Sequence, residues 1–213
     1  MTRILIFANG ILPNHEKARA LLKEDDFILC ADGGTHHALA LSIHPSLVVG
    51  DLDSLTDDGK KKIEEEGIKI IRYPRDKNET DLELAIDHAL DQKPTSIVIL
   101  GGLGNRLDQT IGNLALLSSS RLAAMDIRLD DGLEEAFFCR GRSVLHGMKG
   151  DLVSLQPWGK AVEGITTAGL KWPLNNETLY PDRTRGISNE LLSTTATISL
   201  SSGLLLIIHR RVA

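Results

Sequence analysis

The sequence predicts an α/β domain built on a mainly parallel sheet over residues 1–130, followed by an antiparallel β domain over residues 131–213. Two observations predict it. The first 130 residues alternate short apolar runs with longer amphipathic ones, the pattern of βαβ units. Beyond them the helical period fades, Gly and Pro become more frequent, and short alternating runs follow one another, as in a sandwich or barrel.

In the first half the apolar runs Arg3–Ala8, Phe27–Ala31, Leu47–Gly50, Lys69–Tyr73 and Ser96–Gly101 are expected strands. Helical spacing is expected over His15–Lys23, Thr35–Leu41, Thr56–Glu66, Asp81–Gln92 and Leu107–Ser119. Helices over both faces of such a sheet make an αβα, Rossmann-like domain, which gathers ligands beyond the carboxyl ends of its strands. In the second half the expected strands are Ser143–Leu145, Asp151–Gln156, Ala161–Ile165, Thr195–Leu200 and Leu204–His209. The last is apolar at consecutive positions, so both its faces should be covered.

Composition narrows the function. Hydrophobic residues make up 42% and charged residues 25% of the 213, ordinary for a globular protein with an ample core. The net charge of −5 offers no footprint for nucleic acid, and an anionic substrate must be received locally. No apolar stretch approaches the ~20 residues of a membrane helix. Cys30 and Cys139 sit in apolar runs without metal-ligand spacing, so buried free thiols in a reducing cytoplasm are expected. The chain opens on a strand-like run, so no signal peptide is expected.

Four acidic clusters, three of them with glycine, follow expected strands. After Val48-Val49-Gly50 come Asp51 and Asp53, whose side chains in an extended chain point the same way roughly 7 Å apart. Two such carboxylates can converge on a hard cation, or simply end a solvated strand before a helix. Ala31-Asp32-Gly33-Gly34 allows close approach of a ligand to backbone, or a tight turn. Asp76-Lys77-Asn78-Glu79-Thr80-Asp81 holds a capping box, Thr80 to Glu83, which by itself accounts for Asp81 as a first-turn acid. Gly101-Gly102-Leu103-Gly104 precedes Arg106-Leu107-Asp108-Gln109, joining a glycine loop, a guanidinium suited to phosphate and an acid at a helix start. Independent turns have no reason to put acids at one sheet edge four times, three of them with glycine. Like charges ~4 Å apart repel by about 4 kcal/mol at an effective dielectric of 20. Acids around a polyphosphate therefore make sense with divalent metal between them.

In order and spacing these motifs, with Gly169-Leu170-Lys171-Trp172-Pro173-Leu174 and Gly186-Ile187-Ser188-Asn189-Glu190, resemble the thiamine pyrophosphokinase family. The resemblance implies a C-terminal β-sandwich that binds thiamine and dimerises, an N-terminal domain that binds ATP and metal, and a homodimer with active sites between subunits. It implies Mg²⁺-dependent transfer of pyrophosphate from ATP to the thiamine hydroxyl, giving thiamine diphosphate and AMP. By position Asp51, Asp53, Asp81 and Asp108 match the family's acidic site residues. Asp51, Asp53 and Asp81 are assigned to Mg²⁺. Asp108 is a candidate for orienting or deprotonating the alcohol, or for contacting metal or ligand. Lys77 and Arg106 are assigned to phosphate oxygens, and Asp32, Gly33 and Gly34 to the nucleotide, with Asp76 in the same motif as Lys77. Gln109 stands where many relatives have His, so it receives no acid–base role.

The remaining candidates have two readings each. Asn9, closing the first strand, touches nucleotide or forms a turn. Trp172 offers a flat face to a cationic ring, or packs in the core beside Pro173. Ser188 and Asn189 address an aminopyrimidine edge, or cap the turn at Glu190–Leu192. His36 and His37 read as helix surface, and Arg210-Arg211 as a solvated end. Rival functions are a haloacid dehalogenase-type phosphatase or phosphomutase, whose Asp-x-Asp follows the first strand rather than the third, and a glycosyltransferase using Asp-x-Asp for a nucleotide sugar. A catalytically silent nucleotide- or thiamine-binding module is the alternative of another class, and it has little need of four acids.

Overall fold

The computed structural model describes residues 2–104 and 106–212. The chain divides into two compact units, one ending at Gly132 and the other beginning at Leu133.

The first unit runs β1 (Arg3–Phe7), α1 (His15–Ala20), β2 (Phe27–Ala31), a 3-10 turn (Asp32–Gly34), α2 (Thr35–Ala40), β3 (Leu47–Gly50), α3 (Asp57–Glu65), β4 (Lys69–Arg72), α4 (Asp81–Asp91), β5 (Ser96–Leu100), α5 (Leu107–Ser118) and β6 (Asp126–Asp130). Its strands are all parallel, in the order β6-β5-β1-β2-β3-β4. Every residue of β3 and most of β1, β2 and β5 are buried, which is why these strands read as continuous apolar runs. Leu5, Phe7, Cys30, Val48 and Leu100 face one side with Ala38 of α2 and Ile63 of α3. Residues of opposite parity, such as Ile6, Leu29 and Val49, are equally buried, and α4 lies against β1, β2 and β3 with Leu82, Ala85, Ile86 and Ala89 inward. Asn14, Thr56 and Thr80 cap α1, α3 and α4 through their side-chain oxygens, so the expected capping box supplies its Thr80 cap. Helix α1 ends earlier than expected, at Ala20.

Register fixes the site. Phe7 lies beside both Cys30 and Leu100, and Ala31 beside Val49. The residues that follow β1, β2, β3 and β5 therefore emerge side by side at one edge.

The second unit holds β7 (Glu134–Cys139), β8 (Arg142–His146), β9 (Leu152–Pro157), β10 (Val162–Ala168), β11 (Glu177–Leu179), β12 (Asn189–Glu190), β13 (Thr195–Ser199) and β14 (Leu205–Arg210). Two antiparallel layers form, β12-β9-β14-β7 and β11-β10-β13-β8. Phe137, Val153, Leu155, Leu205 and Ile207 from one layer meet Leu145, Val162, Ile165 and Ile198 from the other in a shared core, a β-sandwich. Strand β14 runs between β7 and β9, which accounts for its unbroken apolar run. Both cysteines are buried and free, and burial pushes the Cys30 thiol pKa up. No helix among the described residues is long and apolar enough to cross a membrane.

Candidate active site

The carboxylates that follow β2 and β3 converge. One oxygen each from Asp32, Asp51 and Asp53 lies within 4.8 Å of the others. The backbone between them makes this possible. Gly50 sits at φ 144°, and a Cβ there would stand 2.9 Å from Asp32 Cβ and 3.0 Å from Asp81 Oδ1. Only glycine leaves room there for Asp32 and Asp81 to approach. Leu52 then adopts φ 64° and buries its side chain, turning the chain so that the Asp53 N–H donates to Asp51 Oδ1 at 2.9 Å. That hydrogen bond, with help from Lys77 and Arg75, holds the Asp51 pKa below the usual carboxylate range.

Asp81 opens α4 beside this group. Burial raises its pKa, opposed by the Lys77 ammonium 3.0 Å from Oδ1. The same ammonium lies 3.7 Å from Asp51 Oδ2. Burial works against the charge of Lys77, yet its pairing with Asp81 and the nearby charges of Asp51 and Asp32 raise its pKa. Arg75 reaches Asp53 Oδ2 at 3.3 Å from the same loop. Asp32 Oδ1 is buried and accepts no hydrogen bond. The set is carboxylate oxygen only, which suits a hard cation such as Mg²⁺ rather than a soft one, and the unpartnered buried Asp32 Oδ1 among these carboxylates fits such a cation.

Beside the acids opens a cleft of about 330 Å³, lined by Asn9, Gly10, Asp32, Ser54, Thr80, Asp81, the glycine loop, Arg106, Gln109 and Asn113 among others. Its floor is backbone. Gly10 N–H donates to Gly101 O at 2.8 Å, His37 Nε2 lies 2.7 Å from Gly10 O, and Asn113 Nδ2 donates to Gly102 O at 2.8 Å. Burial lowers the His37 pKa, with the Gly10 contact opposing. Gly33 backs onto the Asn9 amide, and a Cβ on Gly34 would fall 2.0 Å from Phe7 O. These two glycines seat the 3-10 turn against β1, and Asn9 lies where that turn meets the cleft. Arg106 and Asp108, both exposed, pair at 2.5 and 3.1 Å. That hydrogen bond lowers the Asp108 pKa and raises that of Arg106. Arg106 lines the cleft and Asp108 does not.

The second unit gathers Trp172 and Ser188 around the buried Asn189. Trp172 is 54% exposed, which removes the core-packing reading. The Lys171 ammonium sits 4.7 Å from the indole centroid and 2.9 Å from Glu190 Oε2. The Asn189 side chain is buried: Oδ1 accepts from Trp172 N–H at 3.0 Å and from Glu190 N–H at 2.9 Å, and Nδ2 donates to Trp172 O at 2.7 Å. Asn189 thus fixes the loop that presents Trp172. Ser188 sits exposed at φ 58° with its N–H donating to Ser154 Oγ at 3.1 Å.

Comparison with known proteins decides the family. The description "Thiamin pyrophosphokinase, catalytic domain" matches residues 18–129, more than half of the chain, and "Thiamin pyrophosphokinase, vitamin B1 binding domain" matches residues 143–205. The chain belongs to the thiamin pyrophosphokinase family. It is 34% identical over 180 residues to the thiamine pyrophosphokinase of Bacillus subtilis (strain 168), covering 84% of each chain. The crystal structure of the Bacillus subtilis thiamine pyrophosphokinase superposes with a TM-score of 0.89 at 28% identity, covering 100% of both chains. The thiamin pyrophosphokinase of Geobacillus thermodenitrificans gives 0.84 at 26% identity, over 99% of this chain and 97% of its own.

Asp32, expected at the nucleotide, lines the cleft and also stands among the acids. Arg75 and Asn113 carry no expectation from the sequence, and His37, expected on the helix surface, is half-buried with its Nε2 on Gly10 O. Arg211, read as a solvated end, lies 3.4 Å from the buried Glu135.

Proposed function

We propose that this chain transfers the pyrophosphoryl group of ATP to the hydroxyl of thiamine, releasing AMP and thiamine diphosphate. The observation that carries the reading is the convergence of Asp32, Asp51, Asp53 and Asp81 beside a glycine-floored cleft that ends in Arg106. A cleft of about 330 Å³ suits a nucleotide-sized ligand.

The thiamine oxygen attacks the β-phosphorus in line while the bond from that phosphorus to the α,β-bridging oxygen breaks, and AMP departs with the bridging oxygen. Such a reaction is mostly positioning and charge neutralisation. Asp51, Asp53 and Asp81 would hold Mg²⁺, with Asp32 completing the acidic wall, and a divalent ion there would supply charge to offset the phosphates against these carboxylates and to polarise the phosphoryl oxygens. Lys77 and Arg106 contact phosphate oxygens, while Asn9 and the turn Asp32-Gly33-Gly34 bound the nucleotide. Asp108, kept ionised by Arg106, orients the alcohol once Arg106 turns to phosphate. Trp172 offers its indole to the cationic ring of thiamine, Ser188 supplies a hydroxyl to the aminopyrimidine, and Asn189 sets the loop.

The test is which bond of ATP breaks. With Mg²⁺, ATP and thiamine, AMP and thiamine diphosphate should form in equal amounts, and excess EDTA should stop turnover. ADP as the main nucleotide product, or turnover without thiamine, would refute the reading.

We also infer that the working form is a homodimer. Trp172, Ile187 and Leu192, all about half exposed, give the second unit apolar surface to cover. Light scattering should return twice the chain mass of 23.2 kDa, and a monomer at assay concentrations would exclude it.

A further inference from the structure

We propose that Lys77 is an exchangeable counter-ion of the acidic cluster. Without metal its ammonium ties Asp51 to Asp81, and when metal is loaded it is released to the phosphate oxygens of the nucleotide. The proposal deepens the metal reading above and rests on it.

Lysine stems usually keep their charged ends in water. Lys77 does the reverse, with a side chain only 10% exposed and its ammonium 3.0 Å from Asp81 Oδ1 and 3.7 Å from Asp51 Oδ2. Those two acids come from separate elements, the end of β3 and the start of α4, so Lys77 bridges parts that would otherwise repel. Yet it does not saturate them. Asp32 is 5% exposed, belongs to the same cluster, and its Oδ1 accepts no hydrogen bond. Four carboxylates, Asp32, Asp51, Asp53 and Asp81, face two cationic side chains, Lys77 and Arg75. The two negative charges left over equal the charge of one divalent cation.

With that cation bound, Lys77 is in excess at the cluster. A nucleotide polyphosphate brings new negative charge to the adjoining cleft. Lysine carries a compact charge on a flexible stem, so it can change partner without a change of backbone. Metal loading and nucleotide binding are then coupled through one side chain, since each favours the same position of Lys77.

The test compares wild type and Lys77→Met, as full chains without nucleotide, titrated with Mn²⁺ and followed by electron paramagnetic resonance. Removing a competing charge at this distance should tighten Mn²⁺ binding about threefold or more. In EDTA the variant should melt below wild type, and added Mn²⁺ should raise its melting temperature by more than it raises that of wild type. With Mn²⁺ present the variant should bind ATP more weakly. Lys77→Gln carries the same expectations should Lys77→Met fold poorly. Equal or weaker Mn²⁺ binding by the variant, with normal binding by wild type, overturns the exchange alone. Wild type that binds no Mn²⁺ overturns the metal reading and the exchange together.

Discussion

Asp51→Asn should reduce turnover at least about a hundredfold while leaving the fold in place, because a pre-positioned charge in a phosphoryl-transfer site is worth several kcal/mol to the transition state. The substitution separates charge from structure. Asp51 Oδ1 accepts the Asp53 N–H at 2.9 Å, and the amide oxygen of Asn can accept the same bond. What Asn cannot supply is the charge that faces Lys77 at 3.7 Å and joins Asp32 and Asp53 in the cluster. The far-ultraviolet circular dichroism and melting temperature should stay close to wild type while the product assay falls. Near-normal turnover in a folded variant would remove Asp51 from the metal set.

The second large effect lies in the β-sandwich. His209 is fully buried, with Nδ1 2.9 Å from Glu135 Oε1 and Nε2 2.9 Å from Asp151 Oδ2. A neutral imidazole has one N–H, so only the protonated ring donates to both carboxylates. Asp151 also accepts the Met148 and Val212 N–H groups. Burial works against the charge on His209, but Glu135 and Asp151 raise its pKa, with Arg211 opposing. Burial likewise works against the Asp151 carboxylate, but the backbone N–H groups and His209 lower its pKa. The signs follow. A raised histidine contributes fully below its ordinary 6.5, and the contribution is lost as pH rises through the higher folded value. A depressed Asp151 contributes above its ordinary 3.8, and that is lost as pH falls through the lower folded value.

His209→Gln removes the imidazolium held between two buried carboxylates and should cost about 3 kcal/mol or more at neutral pH. Both tryptophans, Trp158 and Trp172, lie in this unit, so denaturation followed by their fluorescence reports it directly. The gap between wild type and variant should narrow as pH rises through the folded His209 value. A gap unchanged into strongly alkaline solution would mean that the ring is neutral in the native state.

Much of this was legible in sequence because parallel strands buried on both faces and capped helices leave strong periodic signals. The positions of Asp51, Asp53 and Asp81 followed from those strand ends. Their company did not. Asp32 joins them because β2 and β3 are neighbours and Gly50 leaves room, and strand order is a property of the sheet rather than of any one segment. Arg75, Asn113 and His37 act through single long-range contacts, which no local pattern records. Strands β11 and β12 are three and two residues long, too short for alternation to register. Strand β7 escaped for another reason: Glu135 is a charged residue turned inward to meet His209, which breaks the expected pattern.

One-step transfer of a pyrophosphoryl group is distinguished from stepwise transfer by two parallel reactions, one with ATP labelled at the β-phosphorus and one at the γ-phosphorus, each with thiamine and Mg²⁺. Both labels should enter thiamine diphosphate with equal yield, and AMP should carry neither. Entry of the γ label alone, with the β label recovered in ADP, would mean successive single phosphoryl transfers and would overturn one-step transfer.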